Sequence, residues 1–134
     1  KKGLIHLLLK GMGCIKIRRN IFDIECIKKS VDLLKDGYLL AMFPQGSISR
    51  DGSLDSIKSG AVLISAQAKV PIIPIYFKKR KSIFHRTEVA IGEKFYYSDY
   101  CDKKMPGMKD IEIITNALFE KTLECKNLID KSEE

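Results

Sequence analysis

The groups with chemical capacity are concentrated in residues 44–56. Two glycines (Gly46, Gly52) and four serines (Ser47, Ser49, Ser53, Ser56) stand there among Gln45, Arg50, Asp51 and Asp55. A connection of about 13 residues is long for the link between a strand and a helix, and such links are usually functional or disordered. Pro44 has no N–H to donate, so it ends any ladder before it. Gly46 permits a sharp turn or a close approach of a ligand to the backbone. Lys58 lies just beyond, near the start of a helix whose N-terminus favours anions. The same composition describes a solvated surface loop, and the residue types alone leave both readings open. A second basic feature, Arg18 and Arg19, follows the apolar stretch Cys14 to Ile17; by composition it is ordinary surface charge.

The elements that must hold the loop are legible on either side of it. Tyr38 to Phe43 is one apolar run and Val70 to Phe77 another, with a helix rich in small residues between them, from about Lys58 to Lys69. Strand, loop, helix, strand is one βαβ unit. In open α/β sheets the carboxyl ends of the strands open into a crevice that takes ligands, and this loop belongs there. Gly60, Ala61, Ser65, Ala66 and Ala68 let the helix backbone approach the sheet closely.

Upstream, Lys1 to Met12 is an amphipathic helix with Leu4, Ile5, Leu8 and Leu9 on one side, punctuated by Gly11 and Gly13. It suits core packing or a membrane surface. Cys14 to Ile17 is a short strand. Asn20 or Asp23 caps a helix running to about Lys35, with Ile24, Ile27, Val31 and Leu34 as its stripe, and Asp36-Gly37 ends it. Downstream, Lys78 to Lys81 is a basic run, a solvated loop or a contact for anionic lipid. Glu88 to Tyr96 is a strand near the sheet edge. Ser98 to Gly107 is a polar loop. Lys109 to about Lys131 is the longest helix, with Ile111, Ile114, Leu118, Cys125 and Leu128 set to cover a sheet face. The expected fold class is α/β, a mostly parallel central sheet flanked by helices, in a single domain over residues 1–131 with a solvated tail at 132–134.

Composition bounds the rest. The chain has 134 residues, 45% hydrophobic and 31% charged, the profile of one globular domain. No apolar run approaches the roughly 18–20 residues that span a bilayer, and no signal-peptide pattern opens the chain. Four dispersed cysteines without a CxxC pair, and only two histidines, argue against a disulfide framework or a zinc site. The net charge of +7 suits phosphate ligands, acidic membrane surfaces or nucleic acid. A nucleic-acid reading lacks aromatic-basic interleaving. No G-x-S-x-G hydrolase elbow and no phosphate-binding G-x-x-x-x-G-K-[ST] loop occurs.

Phe43-Pro44-Gln45-Gly46-Ser47, then Lys58 and Gly60, then Val70 to Pro74, resemble in order and spacing the glycerolipid acyltransferases, the 1-acylglycerol-3-phosphate acyltransferase family and its relatives. The third block of that family is F-P-E-G-T-R, followed by a Phe-Lys-x-Gly step and an alanine-rich helix. Its fourth is a V-P-[IV]-[IV]-P strand, which Pro71 shapes here. Gly13, Ile15, Ile17 and Arg19 align with the second block. The resemblance spans about residues 3–95, roughly two-thirds of the chain.

The resemblance implies acyl transfer from a thioester, acyl-CoA or acyl-carrier-protein, to a lysophospholipid acceptor in phospholipid biosynthesis. No cofactor or metal is needed beyond that co-substrate. It implies work at the cytoplasmic face of a membrane, with an anionic membrane surface as partner and no nucleic acid. By the same resemblance Arg19 binds the acceptor phosphate with its fork of donors. Gln45 and Gly46 lie where the family holds the glycerol moiety, Ser47 donates a hydrogen bond, and Lys58 is a further phosphate ligand. Three positions depart from the family pattern: Arg18 stands for an Asp, Gln45 for the third-block Glu, and Ile48 for the third-block Arg. Gln45 loses a carboxylate but keeps an amide that hydrogen-bonds. Arg50 replaces the lost guanidinium if the loop turns it inward.

The family's base and its orienting acid form an H-x-x-x-x-D block. His6 has Gly11 five positions on and His85 has Ala90, so neither fits. The dyad is expected before Lys1, the chain being read as N-terminally incomplete, and no catalytic residue is assigned within it. The alternative is a non-catalytic, lipid-phosphate binding member of the same fold.

Overall fold

A computed structural model describes residues 2–15, 17, 23–45, 54, 56–78, 86–103 and 106–131. The chain divides into two compact units, Lys1–Leu40 and Ala41–Glu134.

The first unit holds α1 (Lys2–Gly11) and α2 (Ile24–Lys35). Both helices stop in the same way. Gly13 and Gly37 take left-handed backbone conformations at φ 74° and 87°. The amide beyond each glycine returns to the helix, Cys14 to the Leu9 carbonyl at 3.0 Å and Tyr38 to the Leu33 carbonyl at 3.0 Å. That six-to-one bond needs a residue without a Cβ penalty at positive φ, which glycine supplies. At the other end of α2, Asp23 caps as expected, its Oδ1 accepting from the Cys26 amide at 3.1 Å. The expected stripe of α2 holds at Val31, which is buried, and at Ile27 and Leu34, which are half-buried; Ile24 in the first turn is exposed, and Ser30 is buried beside Val31. The Ser30 hydroxyl spends its donor on the Cys26 carbonyl at 2.8 Å, which is how a polar group is tolerated there.

The second unit is built on α4 (Met108–Lys131), which packs on α3 (Gly60–Ala68) and on a two-stranded sheet of β1 (Ile75–Phe77) and β2 (Val89–Ile91). The N-terminal part of α4 joins Ile114 and Leu118 to Ile57, Ala61, Val62 and Phe95 in one cluster. Its C-terminal part joins Cys125 and Ile129 to Ala90, with Tyr76 against them. Leu128, expected on the stripe, is exposed and Ile129 is buried in its place. The drift of a 3.6-residue repeat along a long helix carries a position three beyond Cys125 off the face and one four beyond it onto the face. Helix α3, with its small residues, meets α4 and a 3-10 turn at Tyr97–Asp99, where a sheet was expected.

The expected mostly parallel sheet is corrected. Among the described residues the sheet is antiparallel, pairing Ile75 with Ile91, Tyr76 with Ala90 and Phe77 with Val89. Two physical reasons account for this. Pro71 and Pro74 withhold N–H groups from the first half of the Val70–Phe77 run, leaving three residues of regular ladder. The segment that returns after residues 78–88 pairs antiparallel without a crossover, whereas a parallel partner needs one. Tyr38 to Phe43, expected as the central strand, forms no strand among the described residues, with Leu39 92% and Phe43 85% exposed. A parallel strand is buried on both faces, and these residues are not. Cys14, Ile15 and Ile17 likewise form no strand.

The second strand region is bulged. Ile72 bridges Phe95 while Ile75 pairs with Ile91, so the later segment holds one extra residue between the two pairings. That insertion lets Ala90 and Phe95, at positions of opposite parity, both reach buried clusters. Gly92 lies inside this region for a steric reason. A Cβ there would lie 2.7 Å from the Cys125 Sγ and 2.9 Å from the Pro74 Cγ. The Cys125 thiol also lies 3.9 Å from the Pro74 carbonyl oxygen, to which it donates, and burial pushes its pKa up.

The start of α4 is set by Asp110, whose Oδ2 accepts from the Gly107 amide at 2.9 Å and from Lys103 Nζ at 2.9 Å. The hydrogen bond from Lys103, followed by that from Gly107, holds the carboxyl below its usual range.

Gly92→Ala is expected to destabilise the chain by about 1–3 kcal/mol, because neither neighbour has room to yield freely. In urea unfolding, Gly92→Ala combined with Cys125→Ala should cost less than the sum of the two single changes. Strict additivity would show that the sulfur does not limit position 92. A second expectation concerns acid. A carboxyl depressed in the folded chain stabilises above its unfolded pKa, and the contribution is lost as pH falls through the folded value. The midpoint difference between wild type and Asp110→Asn should therefore narrow as the pH is lowered from about 6 through the carboxylate range. A gap independent of pH would rule out this role for Asp110.

Candidate functional site

Two of the residues singled out by the sequence stand at the neck of one loop. Pro44 opens the loop, and its carbonyl accepts from the Lys58 amide at 2.8 Å. This bond closes the loop at its base. It sets Gln45, the residue after Pro44, beside the return of the chain at Lys58. Pro44 and Gln45 are half-buried, and Lys58 is exposed. The neck is anchored from the C-terminal side by Ile57, which is buried in the cluster with Val62, Phe95 and Ile114. The neck is therefore held by one main-chain bond and one core side chain, with the cation at its outer edge.

Helix α3 starts directly after the neck. Ser59 precedes it in helical backbone geometry and makes no side-chain cap. The first intrahelical bond is from the Leu63 amide to the Ser59 carbonyl at 3.0 Å. The positive end of α3 thus lies two residues from the Lys58 ammonium, and both favour negative charge. A Cβ added at Gly60 would meet no atom of the described residues within 4 Å.

At its far end α3 is fixed by Ser65, which the sequence suggested only as a small residue. Its carbonyl accepts from the amides of Lys69 and Val70, and its hydroxyl donates to the Val70 carbonyl at 2.5 Å. Lys69 turns through the left-handed region at φ 57°. This clamp turns the chain from α3 into Val70–Pro74. No sequence signal separates a serine in this role from a serine chosen for size. Ile57 had no distinguishing signal either: it is one apolar residue at the edge of a polar loop.

Of the expected site residues, Gln45 and Lys58 are brought together at the neck. Arg19, Gly46, Ser47 and Arg50 lie outside the described residues, as do Arg18 and Ile48. Among the described residues no three His, Cys, Asp or Glu side chains gather as a metal site. No helix among them is long and apolar enough to cross a membrane.

The loop neck, the helix behind it and the segment Val70–Pro74 all fall within residues 1–78, and that stretch matches the family model for acyltransferases. The chain belongs to the acyltransferase family. Among its relatives, 1-acyl-sn-glycerol-3-phosphate acyltransferase of Bacillus subtilis (strain 168) is 28% identical over 132 residues, covering 95% of this chain and 64% of its own. The chloroplastic 1-acyl-sn-glycerol-3-phosphate acyltransferase BAT2 of Brassica napus is 36% identical over 74 residues, 54% of this chain and 22% of its own. The chloroplastic LPAT1 of Arabidopsis thaliana, of the same description, is 36% identical over 74 residues, 54% of this chain and 21% of its own. The chain thus spans between 21% and 64% of the length of these three relatives. No solved structure matches it.

If the Pro44–Lys58 bond closes the loop, the Lys58 amide exchanges slowly with solvent while Lys58 itself stays exposed. Ile57→Ala removes the core anchor, at roughly 2 kcal/mol or more. Hydrogen exchange at the Lys58 amide should then speed up by more than about tenfold, with little change at the Tyr38 amide at the end of α2. Equal acceleration at both amides would point to global unfolding instead.

Proposed function

We propose that this acyltransferase chain carries the acceptor-binding part of an enzyme that moves an acyl group from a thioester, acyl-CoA or acyl-carrier-protein, to the free hydroxyl of 1-acylglycerol-3-phosphate. The reading rests on one observation above all. Pro44 of the family's third block and Lys58 of its Lys-x-Gly step meet at one closed loop neck, with Lys58 directly before the N-terminus of α3. A phosphate monoester is the part of the acceptor that such a place suits, because a cation and a helix N-terminus both favour its charge.

In this reading Lys58 binds the acceptor phosphate from the neck. Arg19 adds a bidentate contact, and Arg50 another from within the loop. Gln45 offers its amide to the glycerol, Gly46 lets the backbone approach the ligand, and Ser47 donates a hydrogen bond. These residues bind and orient the acceptor. Removal of the hydroxyl proton requires a general base, and neither histidine of this chain has the expected aspartate five residues on. The reaction is placed at the cytoplasmic face of a membrane, where the lysophospholipid resides.

A second reading is favoured by Gln45 and Ile48, which stand where the family pattern has Glu and Arg. A binding member that holds lipid phosphate without turning it over has no need of either group.

Acyl transfer to 1-acylglycerol-3-phosphate decides between the two readings, measured for this sequence within the protein extended to its native start codon. Lys58→Ala is expected to raise KM for the acceptor about tenfold, the scale of one charge-assisted hydrogen bond, with kcat and the thermal midpoint little changed. Gln45→Glu is expected to keep or increase transfer. If neither acyl donor supports transfer to this acceptor or to glycerol-3-phosphate, while Lys58→Ala still weakens lysophosphatidate binding, the binding-only reading stands and the enzyme reading falls.

A further inference from the structure

Phe95 joins separate parts of the second unit through its main chain and its ring. Its amide donates to the Ile72 carbonyl at 2.7 Å, and its carbonyl accepts from the Ile72 amide at 2.9 Å. Its side chain is 4% exposed and shares one buried cluster with Ile57, Ala61, Val62, Ile114 and Leu118, against which Ile72 also packs. Tyr100, itself partly exposed, stacks on the ring with centroids 4.9 Å apart and planes 22° from parallel.

Both attachments reach the candidate site. Ile57 directly precedes Lys58, whose amide closes the loop neck on the Pro44 carbonyl. Ala61 and Val62 belong to the first turn of α3, the helix that starts behind Lys58. Ile72 is the middle residue of Val70–Pro74, the segment that leaves the far end of the same helix. The neck and Val70–Pro74 both fall within residues 1–78, which match the family model, whereas Phe95 lies beyond that stretch. Two family segments are thus tied to each other by a residue outside the match. Interiors are close-packed, so a large ring shared by several elements fixes their spacing, and a gap left in its place displaces them. Lys58 follows Ile57 in any such displacement.

We propose that Phe95 is a positioning residue for the candidate site: it holds the loop neck against Val70–Pro74 and so sets where Lys58 stands for an anionic acceptor. The part concerning the acceptor rests on the proposed function. The part concerning the neck rests on packing alone, and the two are read by different measurements.

The test compares Phe95→Leu with Ile129→Ala, both in the protein extended to its native start codon. Ile129 is buried in the second cluster of α4, so its truncation loses core packing in the same unit away from the neck. Both changes are expected to lower the urea midpoint. Only Phe95→Leu should accelerate hydrogen exchange at the Lys58 amide beyond the change in global stability, by about tenfold. Only Phe95→Leu should raise KM for 1-acylglycerol-3-phosphate several-fold with kcat little changed, since the loss is one of placement. Tyr100→Leu, which removes the stack and leaves the buried cluster in place, should act in the same direction more weakly, and it carries the test if Phe95→Leu does not fold. Equal effects of Phe95→Leu and Ile129→Ala on exchange and on KM would reduce Phe95 to a stabilising core residue and overturn the proposal. So would unchanged exchange at Lys58 in both aromatic variants. Selective acceleration at Lys58 in a protein that neither transfers acyl groups nor binds lysophosphatidate would keep Phe95 as the positioning residue of the neck and remove the acceptor reading instead.

Discussion

Helix α4 runs beneath both hydrophobic clusters of residues 41–134, and the other elements of that unit are placed by its single apolar stripe. Ile114 and Leu118 meet α3 and the loop anchor Ile57 at one end, and Cys125 and Ile129 meet the sheet at the other. The tightest point is where Gly92 passes Cys125 and Pro74. A backbone that close to a helix leaves no volume for a Cβ, so the sheet position and the helix position are one constraint. The bulge after β2 follows from it, because Phe95 reaches the first cluster only if the strand gains a residue after serving the second.

The candidate site depends on the same packing at one remove. Ile57 is held by the α3–α4 cluster, and Lys58 and Pro44 are held by Ile57 and one main-chain bond. The neck is thereby tied to the core of the unit, and polar residues follow it in the sequence. The clamp at Ser65 performs the matching task at the other end of α3, turning the chain toward Val70–Pro74 without a glycine.

Much of this was legible in the amino-acid order. The helices at Lys2–Gly11, Ile24–Lys35 and Met108–Lys131 follow local rules, with caps at Asp23, Gly13 and Gly37 that work within one turn. The acyltransferase resemblance was legible because the chemistry of an acceptor loop demands particular residues in a particular order. Pairing was less legible. Apolar runs at Tyr38–Phe43 and Val70–Phe77 read as neighbouring parallel strands, yet periodicity says nothing about which partner a strand takes. Two prolines and a nearby returning segment settled the matter for β1.

By itself, then, the sequence determined the helices, their ends and the family to which the chain belongs, since each depends on contacts within a few positions or on a contiguous motif. Tertiary structure alone decided that the sheet is antiparallel and that Leu128 yields to Ile129. It also decided that Gly92 is forced by Cys125 and that Ile57 anchors the loop. Each of those depends on which residues meet across long stretches of chain, and the free energy of such meetings is shared among partners that no local pattern names.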